Sequence, residues 1–170
     1  VINPDQKSIP SPSYLDITTI SFDPKNAKRM IAGTNGAGVK FSDTAGSTWM
    51  NSNLTTEYVF ETLMDPDDEE NSYFLGLADS GVKVSNTSQL NWINKNNGFH
   101  PSADVFSLAK ASKGTYYAGT ESGIYRTTNG GSSWERKGLE GIKVADILID
   151  TAKENIVWAG TDQGLFRSED

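Results

Sequence analysis

Met30-Ile31-Ala32-Gly33-Thr34 is the stretch on which the fold turns, because the chain writes it four times. Tyr73-Phe74-Leu75-Gly76-Leu77, Tyr116-Tyr117-Ala118-Gly119-Thr120 and Val157-Trp158-Ala159-Gly160-Thr161 repeat the same apolar run closed by glycine. The glycines are spaced 43, 43 and 41 residues apart. Trp49, Trp92 and Trp134 keep a second spacing of 43 and 42. Two separate anchors on one period define an internal repeat, and self-similarity at that length points to stacked supersecondary units.

Each unit reads as strands. Upstream of each glycine a first strand aligns without gaps: Ile17–Phe22, Val59–Met64, Val105–Lys110 and Val144–Ile149. These runs are short and rich in β-branched and aromatic residues. Asp23-Pro24, Asp65-Pro66 and Asp150-Thr151 supply turns after three of them. The glycine run is the second strand. Asn35-Gly36 or Glu121-Ser122-Gly123 then turns the chain into a third, Gly38–Phe41 or Gly123–Arg126. A fourth strand starts at each Trp. Four strands per repeat predict an all-β fold, a β-propeller of four-stranded antiparallel blades. The blades are expected near 17–54, 59–99, 105–139 and 144–170, within one domain or propeller segment. Residues 1–16 would hold a strand completing another blade.

The turn between third and fourth strands reads Ser42-Asp43-Thr44-Ala45-Gly46-Ser47-Thr48-Trp49 in the first unit. In the third it reads Thr127-Thr128-Asn129-Gly130-Gly131-Ser132-Ser133-Trp134. These turns resemble the Asp box (BNR repeat), Ser/Thr-x-Asp-x-Gly-x-Thr-Trp, of sialidases, sortilin-type receptors, family 74 xyloglucanases and photosystem assembly factors. The resemblance runs over essentially the whole chain. It departs from the pattern at Thr44 and Asn129, which occupy the Asp position. The second turn, Ser85 to Trp92, keeps little beyond its ends, and the fourth is represented by Ser168-Glu169-Asp170. The resemblance implies a folding element away from any substrate site. Ser42, Gly46, Thr48, Trp49, Trp92, Thr127, Asn129, Gly131, Trp134, Ser168 and Asp170 are accordingly expected to be structural. A short polar side chain bonds its own turn, glycine takes the left-handed position, and Trp packs between strands.

The family hosts hydrolases, receptors and assembly factors, so fold alone assigns no activity. Bulk properties narrow the field. The 170 residues carry a net charge of −7, against the clustered Lys and Arg that nucleic acid requires. No apolar run approaches the ~20 residues that span a bilayer. Cysteine is absent, which removes disulfides and thiolate zinc sites. His100 is the only histidine, so zinc has no ordinary ligand set. The acidic run Asp65–Glu70 lacks EF-hand spacing. It occupies the register of the other inter-strand turns and reads as a solvated loop. No cofactor or metal is expected.

One position stands out. The third residue of each first strand is polar within an apolar strand: Thr19, Glu61, Ser107 and Asp146. If that strand is innermost, these four line the central channel as a binding surface. Glu61 and Asp146 are then the candidate pair of carboxylates, since glycoside hydrolysis needs two acids roughly 5–10 Å apart. Sialidase-like chemistry would instead resemble an inward arginine cluster. Arg126 and Arg167 hold equivalent positions in two blades and read as a repeated surface feature.

The expected function is a non-catalytic propeller module that binds a protein or glycan partner outside the cytoplasm, the placement following from the resemblance. The alternatives are a glycoside hydrolase fragment and an assembly scaffold. Four blades is the low limit for a propeller. Two arrangements follow: Val1–Gln6 completes the fourth blade and closes the ring, or the chain is an arc finished by further blades or a second copy. The arc is preferred.

Overall fold

A computed structural model describes residues 15–168, apart from 66, 68–72, 87–90, 151, 154 and 155. The described residues form fifteen strands and no helix. The first sheet is β1 (Ile17–Asp23), β2 (Asn26–Thr34), β3 (Val39–Ser42) and β4 (Met50–Asn51). The second is β5 (Val59–Met64), β6 (Tyr73–Leu77), β7 (Gly81–Ser85) and β8 (Ile93–Asn94). The third is β9 (Val105–Ser112), β10 (Thr115–Thr120), β11 (Gly123–Thr127) and β12 (Glu135–Gly138). The fourth is β13 (Val144–Ile149), β14 (Val157–Thr161) and β15 (Gly164–Ser168). Every sheet is an antiparallel meander in sequence order. This is the all-β propeller fold, each sheet one blade. The fourth strands begin one residue after Trp49, Trp92 and Trp134 rather than at the tryptophan itself.

The period-2 alternation of each strand is spent on two neighbours, because side chains leave a strand on opposite faces. In blade 2, Thr62 and Met64 of β5 are buried towards blade 1. Phe74 of β6 and Val82 and Val84 of β7 are buried towards blade 3. The core is therefore divided into three clusters, one per blade boundary. Ile31, Val39 and Phe41 meet Tyr73 and Leu75 at the first boundary. Phe74, Val82 and Val84 meet Leu108 and Tyr116 at the second, and Tyr117 and Ile124 meet Ile147 and Val157 at the third.

The repeated glycine has its cause at these boundaries. A β-carbon built on Gly33 would lie 2.6 Å from Val59 Cγ1, the first residue of the next blade. One on Gly76 would lie 2.5 Å from the Val105 carbonyl oxygen, and one on Gly119 2.8 Å from that of Val144. β5, β9 and β13 thus each open with a residue seated on the glycine of the blade before. Just beyond that seat, β1, β5, β9 and β13 each carry a register irregularity of the bulge kind.

The two outer faces differ from the inner ones. Ile20 and Phe22 of β1 are 55% and 60% exposed, although they align with the buried Thr62 and Met64. Leu148 and Leu165 on blade 4 are 66% and 70% exposed. Among the described residues the four blades form an arc with an apolar face uncovered at each end. Val1–Gln6, expected to supply a strand, lies outside the described residues.

Candidate functional site

The first strands are innermost, and they bring the four predicted polar positions onto successive neighbours in two pairs. Thr19 Oγ1 donates to Glu61 Oε1 at 3.0 Å. The same oxygen accepts the Thr62 backbone N–H at 2.8 Å. Thr19 and Ser21 also share hydrogen bonds with the Thr62 hydroxyl, at 3.1 and 2.7 Å. Ser107 Oγ accepts the Ile147 N–H at 3.0 Å and reaches Asp146 Oδ1 at 3.4 Å. Ser107 is buried, Thr19 and Glu61 are half-buried and Asp146 is exposed. The irregular start of each strand turns this residue off the blade-to-blade packing that Thr62, Leu108 and Ile147 provide.

Burial raises the pKa of Glu61 above the ordinary carboxylate value. The bonds from Thr62 and Thr19 oppose that shift, and the Asp146 charge adds to it. Glu61 and Asp146 therefore sense one another across two blade boundaries, one half-buried and the other exposed.

The bulged residues next to these positions carry a feature that the sequence reading missed. Phe60 and Phe106 meet across the boundary of blades 2 and 3, with ring centroids 4.9 Å apart. Both rings are half-exposed. Lys143, just before β13, places Nζ 3.9 Å from the centroid of Phe106. In the sequence Phe60 and Phe106 stand only as apolar residues of their first strands. Their signal was their place beside the odd polar residue, which becomes informative only once the bulge is known.

The turn residues sit elsewhere. Ser42 Oγ accepts the N–H groups of Thr44 and Gly46, at 3.2 and 3.0 Å, and Thr44 Oγ1 accepts that of Thr48 at 2.9 Å. Thr127 Oγ1 accepts the N–H groups of Asn129 and Gly131, at 3.3 and 3.1 Å, and Asn129 Oδ1 accepts that of Ser133 at 2.9 Å. Thr44 and Asn129 thus make equivalent bonds with different chemistry. Gly46 and Gly131 have φ of 79° and 82°, a region that disfavours side chains. Trp134 is buried, with Nε1 donating to the Lys95 carbonyl of the preceding blade at 2.9 Å. Trp49 is half-buried and bonds its own turn at Gly46, while half-buried Trp92 packs against the first boundary cluster. The turns lie at the blades' outer strands, away from the polar positions. Ser168 closes β15, and Asp170 lies outside the described residues.

Two expectations are corrected. Asp65, read as the head of a solvated loop, is fully buried. It accepts hydrogen bonds from Tyr116 Oη at 2.6 Å and Lys110 Nζ at 2.7 Å, both from blade 3. Asp67 is exposed, and the rest of that acidic run lies outside the described residues. Arg126, read as a surface feature, is half-buried between blades 3 and 4, its guanidinium 5.8 Å from the centroid of Tyr117. Arg167 repeats the arrangement over Trp158 at 5.4 Å. Among the described residues no cluster of three metal-ligating side chains occurs.

No protein-family model matches the sequence, and no curated protein matches it. Solved structures do. The GH74 xyloglucanase from Xanthomonas campestris superposes with a TM-score of 0.77 at 15% identity, over 91% of this chain and 28% of that one. The extracellular domain of BT4673 from B. thetaiotaomicron gives 0.69 at 18% identity, over 98% and 23%. YCF48 bound to D1 peptide gives 0.68 at 14% identity, over 89% and 50%. The chain spans about a quarter of the enzyme and half of YCF48. At these identities the likeness establishes the fold alone, and that fold serves both glycoside hydrolases and proteins of other kinds.

Proposed function

We propose that the chain is a non-catalytic propeller module whose partner, a glycan or an extended peptide, lies across Phe60 and Phe106 beside the polar positions Thr19, Glu61, Ser107 and Asp146. The half-exposed Phe60–Phe106 pair carries this reading. Partly exposed aromatic rings next to hydroxyls and carboxylates offer an apolar surface and an orienting polar edge together. The relatives in fold support both partner classes: a xyloglucanase, and YCF48 bound to D1 peptide. An extracytoplasmic setting accords with the BT4673 extracellular domain. The −7 charge disfavours nucleic acid as partner. The turns from Ser42 to Trp49 and from Thr127 to Trp134 are read as Asp boxes with a structural task.

Calorimetric titration with soluble oligosaccharides and with peptides tests the reading. Phe60→Ala and Phe106→Ala should each weaken the ligand found by on the order of tenfold or more. Unchanged affinity in both removes the site.

A second reading rests on the unequal carboxylates. A Glu61 raised chiefly by burial, with an exposed Asp146 whose charge adds to the shift, is the asymmetry that general-acid chemistry uses. It requires hydrolysis products from a polysaccharide, and their disappearance in both Glu61→Gln and Asp146→Asn.

A further inference from the structure

The glycine seat is filled at three boundaries and open at a fourth. A β-carbon on Gly160 would meet nothing nearer than Asp146, its own β13 neighbour, at 3.7 Å. Around it Asp146, Leu148, Trp158 and Leu165 border an open hollow of ≈ 320 Å³. Leu148 aligns with Leu63 and Ala109, which pack towards the following blade. Trp158 aligns with Phe74 and Tyr117, and Leu165 with Val82 and Ile124, which do the same. Blade 4 therefore presents the trailing half of a blade boundary. The leading half is on the same chain. Ile17 is the counterpart of Val59, Val105 and Val144, the residues that occupy the other three seats. Ile20 and Phe22 are the counterparts of the buried Thr62 and Met64.

We propose that these two faces are halves of one interface between copies of this chain, with Ile17 of one copy seated on Gly160 of the next. The occupant is argued from the repeat. Three boundaries within the chain show what a trailing face accepts, and β1 offers that shape, apolar and uncovered. A head-to-tail contact either closes into a ring or runs on as a filament. Two copies bring eight blades, within the range at which propellers close. The assembly is thus a ring of two copies joined by two identical boundaries. This inference stands apart from the ligand reading, since no partner at Phe60 or Phe106 enters it.

Sedimentation and light scattering of the purified chain test it. The expected mass is twice 18.5 kDa. Gly160→Val fills the seat, its β-carbon meeting only ordinary contacts within one copy, whereas Phe22→Asp charges the opposite face. Each should weaken dimerisation by on the order of 100-fold, with the near-ultraviolet dichroism of the single copy kept. In a mixture of the two variants the mixed pair has one sound boundary, between the trailing face of the Phe22→Asp copy and the leading face of the Gly160→Val copy. Its second boundary carries both changes, so it should pair through a single boundary and well short of the wild-type ring. A monomeric wild-type chain, an open-ended polymer, a dimer indifferent to both changes, or a mixture of the variants that pairs as tightly as the wild type would each overturn the proposal.

Discussion

The phenol of Tyr116 in β10 donates a hydrogen bond to the carboxylate of Asp65 at 2.6 Å, across the boundary between blades 2 and 3. Asp65 is fully buried, and its other oxygen is held by Lys110 Nζ at 2.7 Å. A buried carboxylate so held is expensive to orphan. It ties the turn after β5 to the middle of the next blade, so the repeat is joined by charge as well as by apolar packing.

Removing one partner from this group should show in stability. Tyr116→Phe keeps the ring against Phe74, whose centroid lies 4.2 Å away, and removes only the hydroxyl. The expected loss is about 1–3 kcal/mol, the cost of a hydrogen bond to a charged buried acceptor. Urea unfolding measures it. A loss below a few tenths of a kcal/mol would mean that Lys110 alone satisfies Asp65.

The repeated glycines give a contrast within one substitution type. Gly76→Ala places a methyl group 2.5 Å from the Val105 carbonyl oxygen, so backbone must move. Overpacking of this kind costs about 1–3 kcal/mol. Gly160→Ala meets ordinary van der Waals distances and should leave the unfolding of a single copy nearly unchanged. Thermal melts of the pair, compared at a concentration where the chain is monomeric, check the prediction. Equal losses would show that the glycine answers to the strand and not to the next blade.

The contrast also marks what could be read from sequence. Gly33, Gly76 and Gly119 announced the period because a neighbouring blade forbids any side chain there, and a steric demand repeated at fixed spacing is visible in one dimension. The four polar positions were legible for the same reason: Thr19, Glu61, Ser107 and Asp146 break an apolar alternation at one register. Phe60 and Phe106 were not, because the bulge displaces them from the packing face and a bulge leaves no residue signature. Asp65 misled because its partners, Tyr116 and Lys110, are about fifty residues away along the chain. Its neighbours in sequence are acidic and suggest solvent.

The three equivalent tryptophans should not be equivalent in energy. Trp134 is 5% exposed and anchors Lys95 of the preceding blade. Trp49 is half-buried and bonds only its own turn. Trp134→Ala should cost about 3–5 kcal/mol, the range for an aromatic removed from a core. Trp49→Ala should cost distinctly less. Trp134→Phe keeps most of the ring and forfeits the hydrogen bond, worth about 0.5–1.5 kcal/mol. Denaturant midpoints of the three variants give the order, and a Trp49→Ala loss as large as that of Trp134→Ala would contradict it.

Glu61 should leave its mark on the pH dependence of stability. Its folded pKa is raised, chiefly by burial, so between the ordinary glutamate value and the raised one the folded chain binds more protons than the unfolded chain. Stability then falls as pH rises through that window, and its contribution is fully present only below the unfolded pKa. Glu61→Gln removes the titration while keeping an oxygen that can accept from Thr19 and the Thr62 N–H. The wild-type chain should therefore lose Tm relative to Glu61→Gln as pH rises from about 4 to 7. Asp146→Asn, which removes the neighbouring charge that adds to the shift, should narrow the window without abolishing it. Melting curves of the three proteins across that range decide the matter. A difference between wild type and Glu61→Gln that stays flat, or that moves in favour of the wild type with rising pH, would show that the Thr19 and Thr62 bonds hold the carboxylate ionised and that burial does not govern it.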